Sequence, residues 1–214
     1  MDQKTNEMKI LLTKVIILTF LFCCQSFFIK ANDSIRYNVS LNYYLDLSDT
    51  YGGGSLFSGE FAISRSWYGA KLTFGHFQSQ YTFLFKVPYE EIETVLEIPI
   101  QEMSFMKTGA LSGFIRPVQK KWITADLIFG AVFAKAHCFF LKGIDYSYDL
   151  VENRFTYLIK DYQLVQRNHF GYQVGVDVSF YFFKKAGLQL NARIQDLSNG
   201  GTFFFVGGGL CFRL

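Results

Sequence analysis

Two groups of residues in this chain have types that could do chemistry. His76 stands three positions before Ser79, and a histidine beside a serine is the minimal base and nucleophile pair. The spacing tells against it, because residues three apart in a strand point to opposite faces, and no carboxylate is placed to orient the ring. His137, Cys138 and His169 form the second group, and imidazole and thiolate are zinc ligands. His137 and Cys138 are neighbours, however, and neighbours diverge in a strand. No phosphate loop or spaced zinc motif occurs elsewhere. The net charge of +3 includes no long basic run, which argues against nucleic acid as a partner. The expectation is a protein with no catalytic residues, no cofactor and no metal.

The elements around these residues read as strands. With 25 Phe and 13 Tyr but only 3 Pro in 214 residues, the composition favours pleated sheet over helix. The cleanest alternation is Arg36 to Leu47: Tyr37, Val39, Leu41, Tyr43, Leu45 and Leu47 share one face, and Arg36, Asn38, Ser40, Asn42, Tyr44 and Asp46 the other. A two-faced strand of about 10 residues fits a tilted membrane span. Further strands are expected at Leu56–Ser64, Gly69–Phe77, Gln101–Ile115, Trp122–Ala134, His169–Phe183, Gly187–Leu197 and Phe203–Leu214. The fourth is the least regular, since Lys107 falls on its nominal lipid face. Gln78–Pro99 reads as strands extended beyond the membrane and capped by a turn, and Lys135–Asn168 as a long polar and aromatic loop. The sum is all-β: an eight-stranded antiparallel up-and-down transmembrane β-barrel, with tight turns at one end and longer loops at the other. Trp67, Tyr68 and Trp122 near the turns, and Tyr81 and Tyr172 toward the loops, suit interfacial belts.

Residues 1–31 read as an export signal, with Lys4, Lys9 and Lys14 before the apolar core Val15–Phe22 and a small residue, Ala31, for cleavage. An uncleaved anchor is the competing reading. Cys23 or Cys24 could be lipidated, but Phe22 is bulky where a lipidation site wants a small residue. Residues 32–214 form the barrel domain. Cys138 and Cys211 fall at its opposite ends, so no disulfide is expected between them.

An eight-stranded lumen is only wide enough for side chains to fill. The inward positions hold Arg36, Lys71, Arg193 and Arg213 against Asp46, Glu60, Asp126 and Asp177, which predicts a salt-bridged plug because unpaired buried charge is strongly unfavourable. If Phe182 faces Leu188 across a Lys184–Ala186 turn, Asp177 stands opposite Arg193 as a lumen ion pair. A secreted soluble barrel carrying an apolar ligand remains the alternative, as does a lipid-modifying enzyme.

The last strand ends Gly-Leu-Cys-Phe-Arg-Leu, with Phe204, Val206, Leu210, Phe212 and Leu214 on one apolar face. With the seven strands before it, this resembles the small outer-membrane β-barrel family of the OmpA and OmpX type. The resemblance implies residence in the outer membrane of a Gram-negative-type cell, contact with outer-membrane lipid, and outer loops free for adhesion, an extracellular partner or envelope maintenance. It also implies that Gly209, Phe212 and Leu214 form an assembly signal read by the barrel-assembly machinery. Two departures are Leu214 where Phe is commonest and Gly207 where a polar residue opens the motif. Deleting Phe212–Leu214 is expected to cripple membrane insertion and leave export intact, which cell fractionation reads directly. Normal insertion of the truncated chain would remove the signal reading.

Overall fold

The computed structural model describes residues 35–48, 52–88, 95–149, 151–152 and 154–214. The expected export signal, with Cys23 and Cys24, lies outside the described residues. Eight antiparallel strands follow in chain order: β1 (Ile35–Asp46), β2 (Gly54–Arg65), β3 (Tyr68–Pro88), β4 (Val95–Gln119), β5 (Ile123–Asp149), β6 (Arg154–Tyr181), β7 (Ala186–Leu197) and β8 (Gly201–Arg213). Each pairs with its neighbour in sequence, and β8 returns to pair with β1, closing the barrel.

The two-residue period decides which way each side chain points. On β1, Leu41, Tyr43 and Leu45 are exposed while Ser40, Asn42, Tyr44 and Asp46 are buried. The same inversion runs round the ring, with Phe57, Phe61, Leu72, Phe74, Leu111, Phe129, Val176, Leu190 and Leu210 all on the outside. A water-soluble ligand carrier would need the opposite arrangement. A continuous apolar outer belt of this size is stable only against lipid.

The rungs do not close at the level where they begin. From Lys107 they pass through His76, Phe57, Tyr43, Gly208, Leu190, Val178 and Ala125, and return to β4 at Val118. Such a stagger requires the strands to tilt against the barrel axis. The β4–β5 register shifts between Ile115 and Val118, where Pro117 has no N–H to give to the ladder.

Four strands are about twice as long as the others. β3 to β6 run 21, 25, 27 and 28 residues, whereas the remaining strands have 12 or 13. The segment expected as the loop Lys135–Asn168 is therefore largely an extended hairpin, paired from Lys135↔Asn168 out to Asp149↔Arg154. Its polar, aromatic composition hid the alternation because both its faces stand outside the apolar belt. Gln78–Pro99 is likewise a hairpin, paired out to Pro88↔Val95.

Closure between β8 and β1 depends on glycine. A Cβ on Gly209 would lie 1.9 Å from the Leu41 carbonyl oxygen, and one on Gly207 would lie 2.0 Å from that of Tyr43, distances no side chain tolerates. Gly209→Val is thus expected to prevent closure even when the purified chain refolds in detergent without any assembly machinery, leaving only the slowly migrating unfolded form on an unboiled gel. If that variant folds normally in detergent but fails in cells, the glycine serves recognition and not packing.

Candidate functional site

The lumen is built in two storeys. The ionic storey takes Glu60 from β2, Lys71 from β3, Asp177 from β6 and Arg193 from β7, each no more than 4% exposed. They alternate in sign around a ring. Lys71 Nζ lies 3.1 Å from Glu60 Oε2 and also binds Asp177, while Arg193 Nη2 lies 2.5 Å from Glu60 Oε1 and 3.1 Å from Asp177 Oδ2. Tyr44 Oη and Ser40 Oγ donate to the two Glu60 oxygens at 3.1 and 3.2 Å. The Arg193 guanidinium also sits 5.2 Å over the Tyr44 ring. Every charge in the ring thereby meets two opposite charges, the condition under which burial of ions is tolerable.

Closer to the turns, Arg116 holds Asp126 with both arms of its guanidinium, Nε at 2.6 Å and Nη2 at 2.9 Å. The space between these groups is a polar cavity of about 20 Å³ lined by Glu60, Lys71, Arg116, Asp126, Ser179 and Cys211, room for about one water. Toward the loops the lumen turns apolar. Phe203 and Phe205 stack at 5.6 Å, and Phe77 meets them edge-on at 5.5 and 6.0 Å. Leu56, Met106, Val132 and Leu197 complete this cluster.

Several expectations change here. Asp177 and Arg193 are in contact, but not as rung partners: Phe180, not Phe182, faces Leu188, so Asp177 stands opposite Asn191 and Arg193 opposite Gly175. The turn begins two residues earlier than expected, with Phe183 N donating to Ala186 O at 3.2 Å, and the ion pair forms along the diagonal. The balanced set of four cations and four anions is also replaced. Asp126 pairs with Arg116, which keeps the inward parity of Ser112 and Phe114 but lies one residue past Ile115, the expected end of the fourth strand. Arg213 covers the Tyr181 ring at 3.4 Å, and Asp46 accepts from Ser48 N at 3.0 Å. The small polar lumen expected throughout gives way to phenylalanines in its outer half.

The candidate chemical groups lie as follows. His76 is exposed on the outer face and Ser79 buried on the inner one. Cys138 and His169 are buried inward, and His169 Nδ1 contacts Ser198 O at 3.0 Å. His137 points the other way, beside Phe105 and Gln166. Cys138 and Cys211 are free. Trp67, Tyr68 and Trp122 are exposed at the turn end. Phe212 and Leu214 are exposed on the lipid face and Gly209 lies inward against β1. Lys107 is exposed on the outer face, but at the top of the belt and not within it, since Leu111 and Ile115 lie below it on β4.

Above the belt the two long hairpins pack face to face. Ile98 and Ile100 of β4 are fully buried against Phe83, Leu141, Ile144, Tyr146, Phe155 and Leu158. Lys160 Nζ donates to Pro99 O at 2.6 Å, and Leu141 N to Glu102 Oε1 at 3.1 Å. The result is a stiff projection with its own small core. On β6, the β7 ladder stops at Gly171 and Phe170 O takes one further bond from Ser198 N, so among the described residues the edge from Arg154 to His169 has no strand beside it.

A closed eight-stranded antiparallel barrel with an apolar exterior, a plugged lumen and an elaborated loop end defines the class: this is the fold of a small outer-membrane β-barrel protein. No protein-family model and no curated protein matches the sequence. Among solved structures the fold is similar to that of Neisserial surface protein A, at 9% identity and a TM-score of 0.54, covering 85% of this chain and 99% of that one. Also similar are Ail of Yersinia pestis (10% identity, TM-score 0.49, 84% and 97% covered) and a major outer membrane protein of Thermus thermophilus (10%, 0.48, 85% and 100%).

The ionic ring gives a quantitative expectation. Lys71→Met leaves two buried carboxylates sharing one cation and is expected to destabilise the barrel by about 3–5 kcal/mol, whereas Lys71→Met with Asp177→Leu should cost far less. Denaturant unfolding in vesicles checks both. A single-variant loss below about 1 kcal/mol, the scale of exposed pairs, would mean the ring is solvated.

Proposed function

We propose that this protein is a non-catalytic integral barrel of the outer membrane whose task is to hold the β3–β6 projection above the cell surface, where the open β6 edge pairs with an extended segment of an extracellular partner. The observation that carries this reading is that edge. Among the described residues, Arg154–His169 have a paired strand on the β5 side only, and at ~3.3 Å per residue they expose roughly 50 Å of backbone with no strand beside it. An edge of that length is a template for strand addition. Tyr157, Ile159, Tyr162 and Leu164 beside it are exposed, a composition suited to partner contact. The plugged lumen supports display over transport.

Ail was solved with the heparin analogue sucrose octasulfate, but a sulfated polyanion is not the occupant favoured here. Several cations of the projection are already engaged: Lys86 lies 3.8 Å from Glu97, Lys142 lies 3.2 Å from Asp161, and Arg154 pairs with Glu152. Biogenesis follows the same reading, with Gly209, Phe212 and Leu214 engaged by the barrel-assembly machinery before β8 closes on β1.

Single prolines placed from Leu158 to Asn168 test strand addition. Adhesion of cells displaying the chain to a surface coated with matrix protein should fall at every second position, where the lost N–H faces the open edge, with barrel migration on gels unchanged. Loss of adhesion without that two-residue period, or no loss at all, would count against edge pairing.

A further inference from the structure

The outer face of the barrel changes character along one inclined rung of four adjacent strands. Moving up β3 the outward residues pass from Phe74 to His76; on β4 from Leu111 and Gly109 to Lys107; on β5 from Phe133 to Lys135; and on β6 from Phe170 to Asn168. His76, Lys107, Lys135 and Asn168 are consecutive partners in one rung, so the change forms a lateral row of basic and amide groups, all exposed. The next outward rung adds Gln78, Phe105, His137 and Gln166. The outward positions of these two rungs and their flanking residues on β3 to β6 contain no Asp or Glu. Among the described residues, neither Lys107 nor Lys135 forms an ion pair.

Directly below the row lies an aromatic floor. Phe133 and Phe170 are in ring contact at 5.0 Å, and Phe74, Phe170 and Tyr172 are more than half exposed. Beside the row, a groove of about 600 Å³ is lined by Tyr43, Leu45, Gln78, Gln80, Met103 and Phe105. The row stands at the loop-end limit of the apolar belt, opposite the Trp67 and Trp122 end; in barrels of this kind the belt is about 25 Å tall and ends at the headgroups. Two ammonium groups with no ion pair among the described residues thus stand where a hydrocarbon belt gives way to headgroups. An ammonium is a compact phosphate ligand, and a phosphate at this interface is only partly screened.

We infer that the row His76, Lys107, Lys135 and Asn168 is a binding site for the phosphorylated headgroup of an outer-leaflet lipid, with the acyl chains lying on Phe74, Phe133 and Phe170. The site is lateral and faces lipid. It meets the foot of the open β6 edge at Asn168, but its two lysines lie on β4 and β5, so substitutions at Lys107 and Lys135 test it independently of partner binding by the projection.

The test uses the full chain folded in phosphatidylcholine vesicles, alone, with a tenth of the lipid replaced by a diphosphorylated glycolipid (lipid A), or with the same glycolipid after removal of its phosphates. The reading is the temperature at which the fast-migrating folded form converts to the slow one. The phosphorylated lipid should raise it by several degrees, and the dephosphorylated lipid should not. Lys107→Gln with Lys135→Gln should abolish the rise while converting at the wild-type temperature in phosphatidylcholine alone; Lys142→Gln, higher on the hairpin, should keep the rise. A rise that survives in the double variant, or an equal rise with the dephosphorylated lipid, would overturn the site. An equal rise from soluble tripolyphosphate outside phosphatidylcholine vesicles would show an anion site with no lipid preference and overturn the lipid assignment. Should the double variant not fold, native mass spectrometry of the wild-type chain decides between the same outcomes: retention of the phosphorylated glycolipid over its dephosphorylated form supports the site, and equal retention refutes it.

Discussion

Closure of β8 on β1 is the constraint from which the other features follow. A sheet whose outer face is apolar has to sit in lipid, where an unpaired N–H or C=O has no water to turn to. The nine rungs from Asn38↔Arg213 to Asp46↔Phe205 remove the last open edge at belt level. They bring the backbones together so tightly that Gly207 and Gly209 are the residues that fit. Closure also creates an interior, and an interior must be filled.

That interior is filled by two incompatible materials kept apart along the axis. The ring of Glu60, Lys71, Asp177 and Arg193 cross-links four strands that are not all neighbours, so it acts on barrel shape and not on one hairpin. The phenylalanine cluster above it excludes water from the loop side. Tyr44 joins the two, its ring against Phe205 and its hydroxyl on Glu60. A barrel so plugged is a rigid post. What varies is what stands on it: β3 to β6 run on beyond the belt to give a projection with its own buried isoleucines, Ile98 and Ile100.

Legibility of these features in the sequence followed the physics of each region. β1 could be read residue by residue because lipid and lumen impose opposite demands on alternate positions. In Phe203-Phe204-Phe205 residue type carries no period, yet the alternation of the strand as a whole puts Phe204 outward with Val206 and Leu210, as observed; what it left unread is that Phe203 and Phe205 fill the lumen. Arg116 obeys the same period as Ser112 and Phe114; it was missed because Pro117 set the expected end of the strand at Ile115, one residue too early. The β6–β7 register shows a subtler limit. A slip of one residue flips every side chain and is visible in the pattern, whereas a slip of two preserves both faces; the turn placed at Lys184–Ala186 was off by that undetectable step, and only the diagonal reach of Arg193 keeps it beside Asp177. Lys107 looked like an error in β4 and is instead the marker of where the belt ends.

The account rests on a closed barrel in lipid, held from within by paired charge. Its most direct test is the migration of the full chain, recovered from the outer-membrane fraction of cells, on a gel run with and without boiling. The compact form should migrate faster unboiled and shift to its full 24.7 kDa position or below it for a processed chain after heating. Recovery in the soluble fraction, or a single band indifferent to heat, would contradict it.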